Sequence, residues 1–275
     1  MTQRSEYVID ADKRSLFDWN ELWGYKELFY FFTWRDIKIK YKQTALGFLW
    51  AILQPLLMMI IFTLFFGRAL KLPPQTLDYP VFVFSGLLIW NTFSSGLTNS
   101  ANSMVTNGQI IKKIYFPRLI IPVSSILVAL FDFLMAFILF VPVLIFYKQP
   151  VGWSAIFCWP LAIAITAMAT LGPGCLMGAL NVKYRDFRYV IPFVVQVMFF
   201  LTPIIYPISI IDKPILQYIL AMSPLYAALE LFRYPLAGED LNSTFMAISL
   251  STCFVLLIVG LVYFKRAEDF FADFA

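Results

Sequence analysis

Histidine is absent from this 275-residue chain, and charged residues are scarce, at 14% of the total. The chain therefore lacks the commonest general base and metal ligand. It also has no glycine-rich loop ending in GK[ST] to hold phosphates and no GxSxG nucleophile elbow. The three cysteines, Cys158, Cys175 and Cys253, lie far apart inside apolar runs, without metal or disulfide spacing. We predict no catalytic residue, metal or cofactor in this chain.

Hydrophobic residues dominate what remains, at 60% of the chain. A soluble domain carries about 25% charged residues, so this composition indicates a membrane protein. The net charge of +4 does not indicate nucleic-acid binding, because the basic residues sit beside apolar runs, where membrane topology explains them. The N-terminal stretch MTQRSEYVIDADKRS has no apolar run, so we expect no cleaved signal peptide.

The chain's most informative junction is WRDIKIKYKQTALGFLWAILQPL, residues 34–56. At helical spacing its first half places Trp34, Ile37 and Tyr41 on one face, and Arg35, Lys38 and Lys42 on another. Twenty uncharged residues follow, enough to cross a hydrocarbon core of about 30 Å. We predict a cationic helix on the membrane surface leading into the first span. The predicted units are residues 1–45, a tail with this interface helix, and residues 46–275, a membrane domain.

The fold class predicted is all-α and polytopic, with six transmembrane helices. The predicted spans are residues 47–66, 80–98, 119–147, 154–180, 190–211 and 245–264. Between the last two, the apolar run is short and divided by Pro224, which favours a re-entrant or interfacial helix pair over a seventh crossing. Six spans put about 16 of the 21 Lys and Arg residues on the side of the N-terminus, so both ends are predicted to be cytoplasmic.

Asp132 is the one charge at the centre of a predicted span. It lies about twelve residues into the third span, roughly 18 Å along a helix. An ionisable group at that depth is costly unless it is paired or faces water. Two interpretations stay open: a functional charge, or a protonated carboxyl that packs by a hydrogen bond to a neighbouring helix.

Three segments resemble one known family. They are WRDIKIKYKQTALGFLWAILQPL, KKIYFPRLIIP and LNVKYRDFRYVIPFVVQVMFFLTPIIYP. They are similar to the permease subunits of ABC exporters for polysaccharides and polyol phosphates, most of all the Wzm-like O-antigen and capsule exporters and more distantly the teichoic acid exporters. The resemblance extends from about residue 19 to residue 238.

The resemblance implies a homodimer in the bacterial inner membrane, joined by two copies of a separate ABC ATPase subunit that binds ATP and Mg. It implies a polyprenyl-pyrophosphate-linked glycan as cargo, among membrane lipids. It also implies cytoplasmic coupling elements, here Ile110, Ile111, Lys112, Lys113 and Ile114, and then Arg185, Asp186 and Arg188. Two short external gate helices are implied at residues 213–221 and 224–236, the second carrying Glu230 and Arg233.

Two further groups of residues fit that cargo. The stripe of Arg35, Lys38 and Lys42 is predicted to admit the anionic lipid head group, with anchoring to acidic lipids as the alternative. Four aromatic residues are predicted to stack on sugars in a translocation channel, unless they only pack against lipid. These are Trp50, Phe199, Phe200 and Tyr206. The charges of the coupling loops have a similar alternative, since they also satisfy the topology rule alone.

Other functions need features that this sequence does not display. A secondary transporter or channel would call for several intramembrane charges or an inverted repeat. An intramembrane enzyme acting on polyprenyl lipids would need more than the single Asp132. An ABC permease for a small lipid or drug has the same fold, and the three family-like segments are what argues against it.

Overall fold

The computed structural model describes residues 19–42, 47–67, 77–238, 240–268 and 271, and throughout these residues every regular element is a helix. The predicted all-α class is confirmed for them. The predicted tail, residues 1–18, and the predicted domain boundary at residues 45 and 46 lie outside the described residues. The helices are α1 Trp19–Gly24, α2 Lys26–Lys42, α3 Gly47–Phe62, α4 Tyr79–Thr106, α5 Gly108–Ile111, α6 Ile120–Phe146, α7 Ala155–Lys183, α8 Phe187–Leu201, α9 Pro214–Ala221, α10 Tyr226–Ala237 and α11 Ser243–Ala267.

Four helices, α4, α6, α7 and α11, are long and apolar enough to cross a membrane. The pair α9 and α10 passes the same test only when taken together, and it is bent by 97°. Within the described residues, length and composition therefore support four spans, or five with the bent pair. Two predicted spans correspond to shorter apolar helices, Ile52–Gly67 and Phe187–Leu201.

Proline explains why α8 is shorter than its apolar run. The sequence predicted a span over residues 190–211, but the helix ends at Leu201. Pro203 and Pro207 follow, and proline both lacks the N–H that a helix needs and disfavours helical geometry in the residue before it. In the first predicted span, helical structure continues beyond α3 as a π-helical turn over Thr63–Gly67, one residue past the predicted limit.

The long helices alternate in direction between two ends of the bundle. At the start of α4, Arg233 of α10 donates to the carbonyl of Phe82, and just after its end Arg35 of α2 donates to the side chain of Asn107. We call the end that carries α2, α5 and residues 184–186 the basic end, and the end that carries α9 and α10 the opposite end. Contacts at both ends place α3, α6 and α8 running from the basic end to the opposite end, and α4, α7 and α11 running back.

The core of the bundle lies around α4, which packs most extensively on α7 and α6. Residues 81–90 of α4 are all buried. Aromatic rings fill the core towards the opposite end, where Phe84 stacks on Phe140 with centroids 5.5 Å apart and Phe140 meets Phe232. Stacked and tilted ring pairs of this kind add stability to the fold beyond the stability that comes from the area they bury.

Two glycines bring α7 and α11 into backbone contact. A Cβ added at Gly260 would lie 1.9 Å from the carbonyl oxygen of Gly172, and one at Gly172 would lie 2.5 Å from the carbonyl oxygen of Leu256. In a bilayer, helix association depends on close packing more than on hydrophobic burial, so small residues at the contact are favourable. This contact fixes α11 against the core.

Candidate functional site

A cavity of about 540 Å³, which we call the polar cavity after its one polar wall, lies between α2, α3, α4, α6 and α8. One wall is a polar face of α4, formed by Asn91, Thr92, Ser94, Ser95, Thr98 and Asn99. Trp50, Gln54 and Val195 contribute to other parts of the lining. Hydroxyl and amide side chains both donate and accept hydrogen bonds, so this wall suits a hydroxyl-rich ligand.

Sequence analysis missed this polar wall. Its members recur at helical spacing, as in Asn91, Ser95 and Thr98, within and just after the predicted second span. Sequence analysis gave residues 80–98 only as a predicted span. A helical period among the polar residues is the signal that would have found the wall.

Asp132 lies on the same cavity and is paired. Lys40 Nζ donates to Oδ2 of Asp132, and the Tyr41 hydroxyl donates to Oδ1. The Asp132 side chain is 15% exposed and that of Lys40 is 41% exposed. Burial, followed by the hydrogen bond to Asp132, raises the pKa of Tyr41, so its hydroxyl stays protonated and donates. Sequence analysis identified Asp132 but neither partner, and Lys40 lies on neither of the two faces assigned to that helix.

Helix α2, predicted to lie on the membrane surface, runs beside the first half of α6 in the same direction. Phe32 meets Phe116, just before α6, with ring centroids 5.6 Å apart. Nine residues further along α2, Tyr41 meets Phe131 at 6.2 Å. The C-terminal part of α2 thus packs on the bundle along α6.

The structure divides the predicted cationic stripe. Arg35 is held by the protein, since its Nη2 donates to Asn107 Oδ1 at 2.7 Å and its Nε to Asp36 Oδ1 at 2.8 Å. Lys38 places its ammonium 5.3 Å from the Trp34 ring centroid, and both Lys38 and Lys42 are exposed. Two of the three residues therefore remain accessible to an anion.

The first predicted coupling element is a single turn, α5, with a following loop. Ile111 is only 7% exposed and belongs to a core cluster with Phe116, against which Ile110 is partly buried. Ile114 is 60% exposed, and Lys112, Lys113 and Tyr115 are exposed beside it. The accessible surface is therefore residues 112–115, which includes Tyr115, a residue that sequence analysis did not select.

The second predicted coupling element is a short turn between α7 and α8, at the same basic end. Arg185, Asp186 and Arg188 are all exposed there, together with Tyr184 and Tyr189. The turn is short because Tyr184 is extended and α8 begins at Phe187. A force on this turn would act on α7 and α8 at once.

The four predicted channel aromatics do not share one surface. Trp50 is exposed and lines the polar cavity. Phe199 packs between α3 and α4, with its ring 5.3 Å from that of Trp90 and 5.9 Å from that of Phe62. Phe200 is exposed, and the Tyr206 hydroxyl donates to its carbonyl at 2.7 Å.

Arg233 of α10 is buried, at 4% exposure, and fixes α10 to two other segments. Its Nη1 donates to the carbonyl of Pro203 at 3.0 Å, and its Nη2 to the carbonyls of Ile204 at 2.8 Å and Phe82 at 3.3 Å. The guanidinium also lies 3.7 Å from the centroid of the Phe82 ring. A Cβ at Gly86 would lie 2.6 Å from Arg233 Nη2, so glycine makes room for the arginine.

Glu230 lies one turn before Arg233, half-buried. Both residues line a second cavity, of about 420 Å³, near the opposite end, together with Asp240 and Tyr226. The predicted gate residues therefore lie together, and Arg233 is committed to backbone contacts.

Long apolar helices enclose a cavity with one polar wall, an arrangement that suits the membrane subunit of a transport system. The chain belongs to the ABC-2 type transporter membrane family, which matches residues 27–236. The family predicted from the three sequence segments is confirmed.

Relatives cover most of the chain. It is 32% identical over 243 residues to the O-antigen export system permease protein RfbA of Klebsiella pneumoniae, covering 87% of this chain and 91% of that protein. It is 26% identical to the protein of the same name in Myxococcus xanthus, covering 91% and 96%. The polysialic acid transport protein KpsM of Escherichia coli is 23% identical, with coverage of 86% and 91%.

Proposed function

We propose that this chain is the membrane subunit of an ABC exporter that moves lipid-linked polysaccharide out of the cytoplasm across a bacterial inner membrane. The observation that carries the proposal is the polar wall of α4 beside Trp50, inside an otherwise apolar bundle. The hydroxyls of Thr92, Ser94 and Ser95 donate to carbonyls of α4 and can still accept hydrogen bonds. Sugar hydroxyls would supply these bonds, whereas a small apolar lipid or drug would not. The names of the relatives, which include O-antigen and polysialic acid transport, agree with this choice.

A deletion strain tests this function. Deleting the gene should remove the polysaccharide from the cell surface while its lipid-linked form accumulates inside, and expression of the chain should restore export. The surface and internal pools are measured separately with a lectin or antibody. A deletion that leaves surface polysaccharide at its normal level would refute the proposal.

The proposed topology has six crossings and both termini in the cytoplasm. In support, six helices alternate between the two ends of the bundle, and residues 47–67 form a continuous helical segment of about 31 Å. The bent pair α9 and α10 would then lie at the external face as gate helices. The positively charged basic end would face the cytoplasm.

Single cysteines introduced after replacement of the three native ones test this topology. Asp240→Cys, exposed near the end of α10, should react with a membrane-impermeant thiol reagent from outside. Ile114→Cys, exposed at the basic end, should react only after the membrane is opened. The reverse pattern would contradict the proposed orientation.

The energy for export would come from two copies of an ABC ATPase subunit bound to a homodimer of this chain. The exposed residues 112–115 and the turn at residues 184–186 are the proposed docking surface, since both lie at the basic end. The purified chain should not hydrolyse ATP by itself and should support hydrolysis with the ATPase subunit. Hydrolysis by the isolated chain would overturn this division of labour.

The anionic head group of the cargo would enter at Lys38 and Lys42. Both are exposed on α2, near the junction with α3. Charge-assisted contacts with phosphate are strong, and an ammonium group donates three hydrogen bonds. Arg35 would contribute indirectly, by holding α2 against Asn107.

A further inference from the structure

The pair formed by Lys40 and Asp132 joins α2 to α6, one of the long helices of the bundle. Lys40 is in the last turn of α2, and Asp132 lies near the middle of α6. Tyr41 donates to the second carboxylate oxygen, so neighbouring residues of α2 hold both oxygens of one aspartate. These three side chains also line the polar cavity.

Burial makes the contact between Lys40 and Asp132 costly to lose. Asp132 is mostly buried, and an unpaired carboxylate inside an apolar bundle is costly, so loss of Lys40 would leave a charge without compensation. Lys40 in turn keeps part of its side chain exposed towards the cavity. The contact therefore holds two helices together at the edge of the cavity.

The position of α2 bears directly on the cavity. Only four residues separate α2 from α3, and Trp50 and Gln54, in the first two turns of α3, form part of the lining. Helices α2 and α3 also contact each other, so holding the C-terminal end of α2 on α6 limits where α3 can lie. A displacement of α2 would be transmitted to the cavity wall through these contacts.

We propose that Lys40, Tyr41 and Asp132 form a positioning cluster that holds the end of α2 on α6 and couples movement of α2 to the shape of the polar cavity. This inference rests on the proposed function as an exporter subunit. It assigns to Asp132 a role that needs its charge and its partner, and it assigns to Lys40 a role distinct from that of the exposed lysines of the same helix.

Charge exchange tests the cluster in the complex with the ATPase subunit. The variants are Lys40→Glu, Asp132→Lys and the two combined, with Lys26→Gln as a control at an exposed lysine of the same helix. Assembly with the ATPase, ATP hydrolysis and glycan export are measured separately. We expect each single variant to lower glycan exported per ATP hydrolysed by about tenfold, and the double variant to recover most of it. Tyr41→Phe should lower the same ratio by about two- to threefold.

The ratio separates positioning from folding, because a purely structural defect would reduce the amount of assembled complex and leave export per ATP unchanged. Should the single variants fail to assemble, the neutral double variant Lys40→Gln with Asp132→Asn leaves no unpaired charge in the bundle. Positioning predicts that this neutral pair assembles with a lowered ratio. An unchanged ratio in the neutral pair, or an exchanged pair that assembles without recovery, would overturn the proposal.

A second measurement does not depend on glycan. A thiol reagent should reach Gln54→Cys, in the cavity wall of a cysteine-free chain, at a rate that changes when ATP is added. The single charge variants should lose this change and the exchanged pair should regain it. If export is absent in every protein but this pattern holds, the cargo assignment fails and the cluster stands. An ATP response that is the same in all variants refutes the cluster itself.

Discussion

Two charged sites, one near the opposite end of the bundle and one near the middle of α6, are built differently. Arg233 donates to three backbone carbonyls and is 4% exposed, so its charge is bound into the main chain. Asp132 is held by two side chains of one helix, and its partner Lys40 is 41% exposed. Backbone carbonyls are fixed by the fold, whereas a contact between side chains can break and re-form. The first site is therefore suited to hold the fold and the second to follow a movement.

The largest effect is expected from Arg233→Met. The change removes the donor of the Pro203 and Ile204 carbonyls, whereas the Phe82 carbonyl still accepts from the Ser85 hydroxyl. Each buried unsatisfied group costs about 1–3 kcal/mol. We expect a loss of roughly 3 kcal/mol or more in stability, measured by thermal unfolding in detergent. Arg233→Lys should recover only part, because an ammonium cannot reproduce the planar fork of the guanidinium.

Lys213→Met provides the matched control, because this residue is exposed just before α9. It should unfold at the temperature of the unmodified protein. If Arg233→Met did the same, the contrast between the two charged sites would be lost.

Ile111→Ala and Ile114→Ala test the same contrast at the basic end, between a residue that holds the fold and a residue that takes part in a movement. Ile111 is buried against Phe116, so its truncation should lower stability by about 2–4 kcal/mol. Ile114 is exposed, so its truncation should change stability by less than about 0.5 kcal/mol. We expect Ile114→Ala instead to weaken co-purification of the ATPase subunit.

Thermal unfolding and pull-down of the ATPase subunit on the same two proteins separate these effects. Unchanged pull-down for Ile114→Ala and for Tyr115→Ala would remove residues 112–115 from the proposed docking surface. Arg185→Ala with Asp186→Ala then tests the second turn by the same pair of measurements.

Gly260→Ala should cost about 1–3 kcal/mol, because the added methyl group collides with the carbonyl of Gly172 and separates α7 from α11. Gly24→Ala is the matched control, since no atom lies within 4 Å of a Cβ at that position. Thermal unfolding of both should show a loss only for Gly260→Ala. An equal result for the two would mean that α11 adjusts freely, so that this contact does not belong to the fixed part of the bundle.

Sequence was sufficient for the helical class and the family, because apolar runs and the three long segments are continuous along the chain. It also identified Asp132, since a lone charge in an apolar run is conspicuous. It did not find Lys40, because the partner of Asp132 lies 92 residues away and its spacing carries no signal. It placed Ile111 and Ile114 together, although the turn after α5 sends one into the core and the other outward.

The helix boundaries show the same limit. Hydropathy extended the fifth predicted span to residue 211, whereas the prolines after Leu201 end the helix there. The polar wall of α4 was present in the sequence at helical spacing, but its significance depends on the other helices that enclose it. Periodicity within one element can be read along the chain, whereas contacts between elements need the packed structure.

The smallest effect expected on stability is that of Lys38→Gln with Lys42→Gln, and it tests whether the basic residues of α2 differ in role. Both are exposed, so the double variant should unfold within about 0.5 kcal/mol of the unmodified protein. Arg35→Gln, which loses its contacts with Asp36 and Asn107, should be less stable by about 1–3 kcal/mol.

If the two lysines, Lys38 and Lys42, meet the anionic head group, their removal should raise the KM for lipid-linked glycan severalfold. The rise should be smaller at high salt, since screening weakens exposed charges. Binding of the same protein to vesicles of acidic lipid without the cargo measures the alternative, simple anchoring. A raised KM with unchanged vesicle binding supports head-group recognition, whereas an unchanged KM contradicts it and leaves α2 with basic residues that only position the helix.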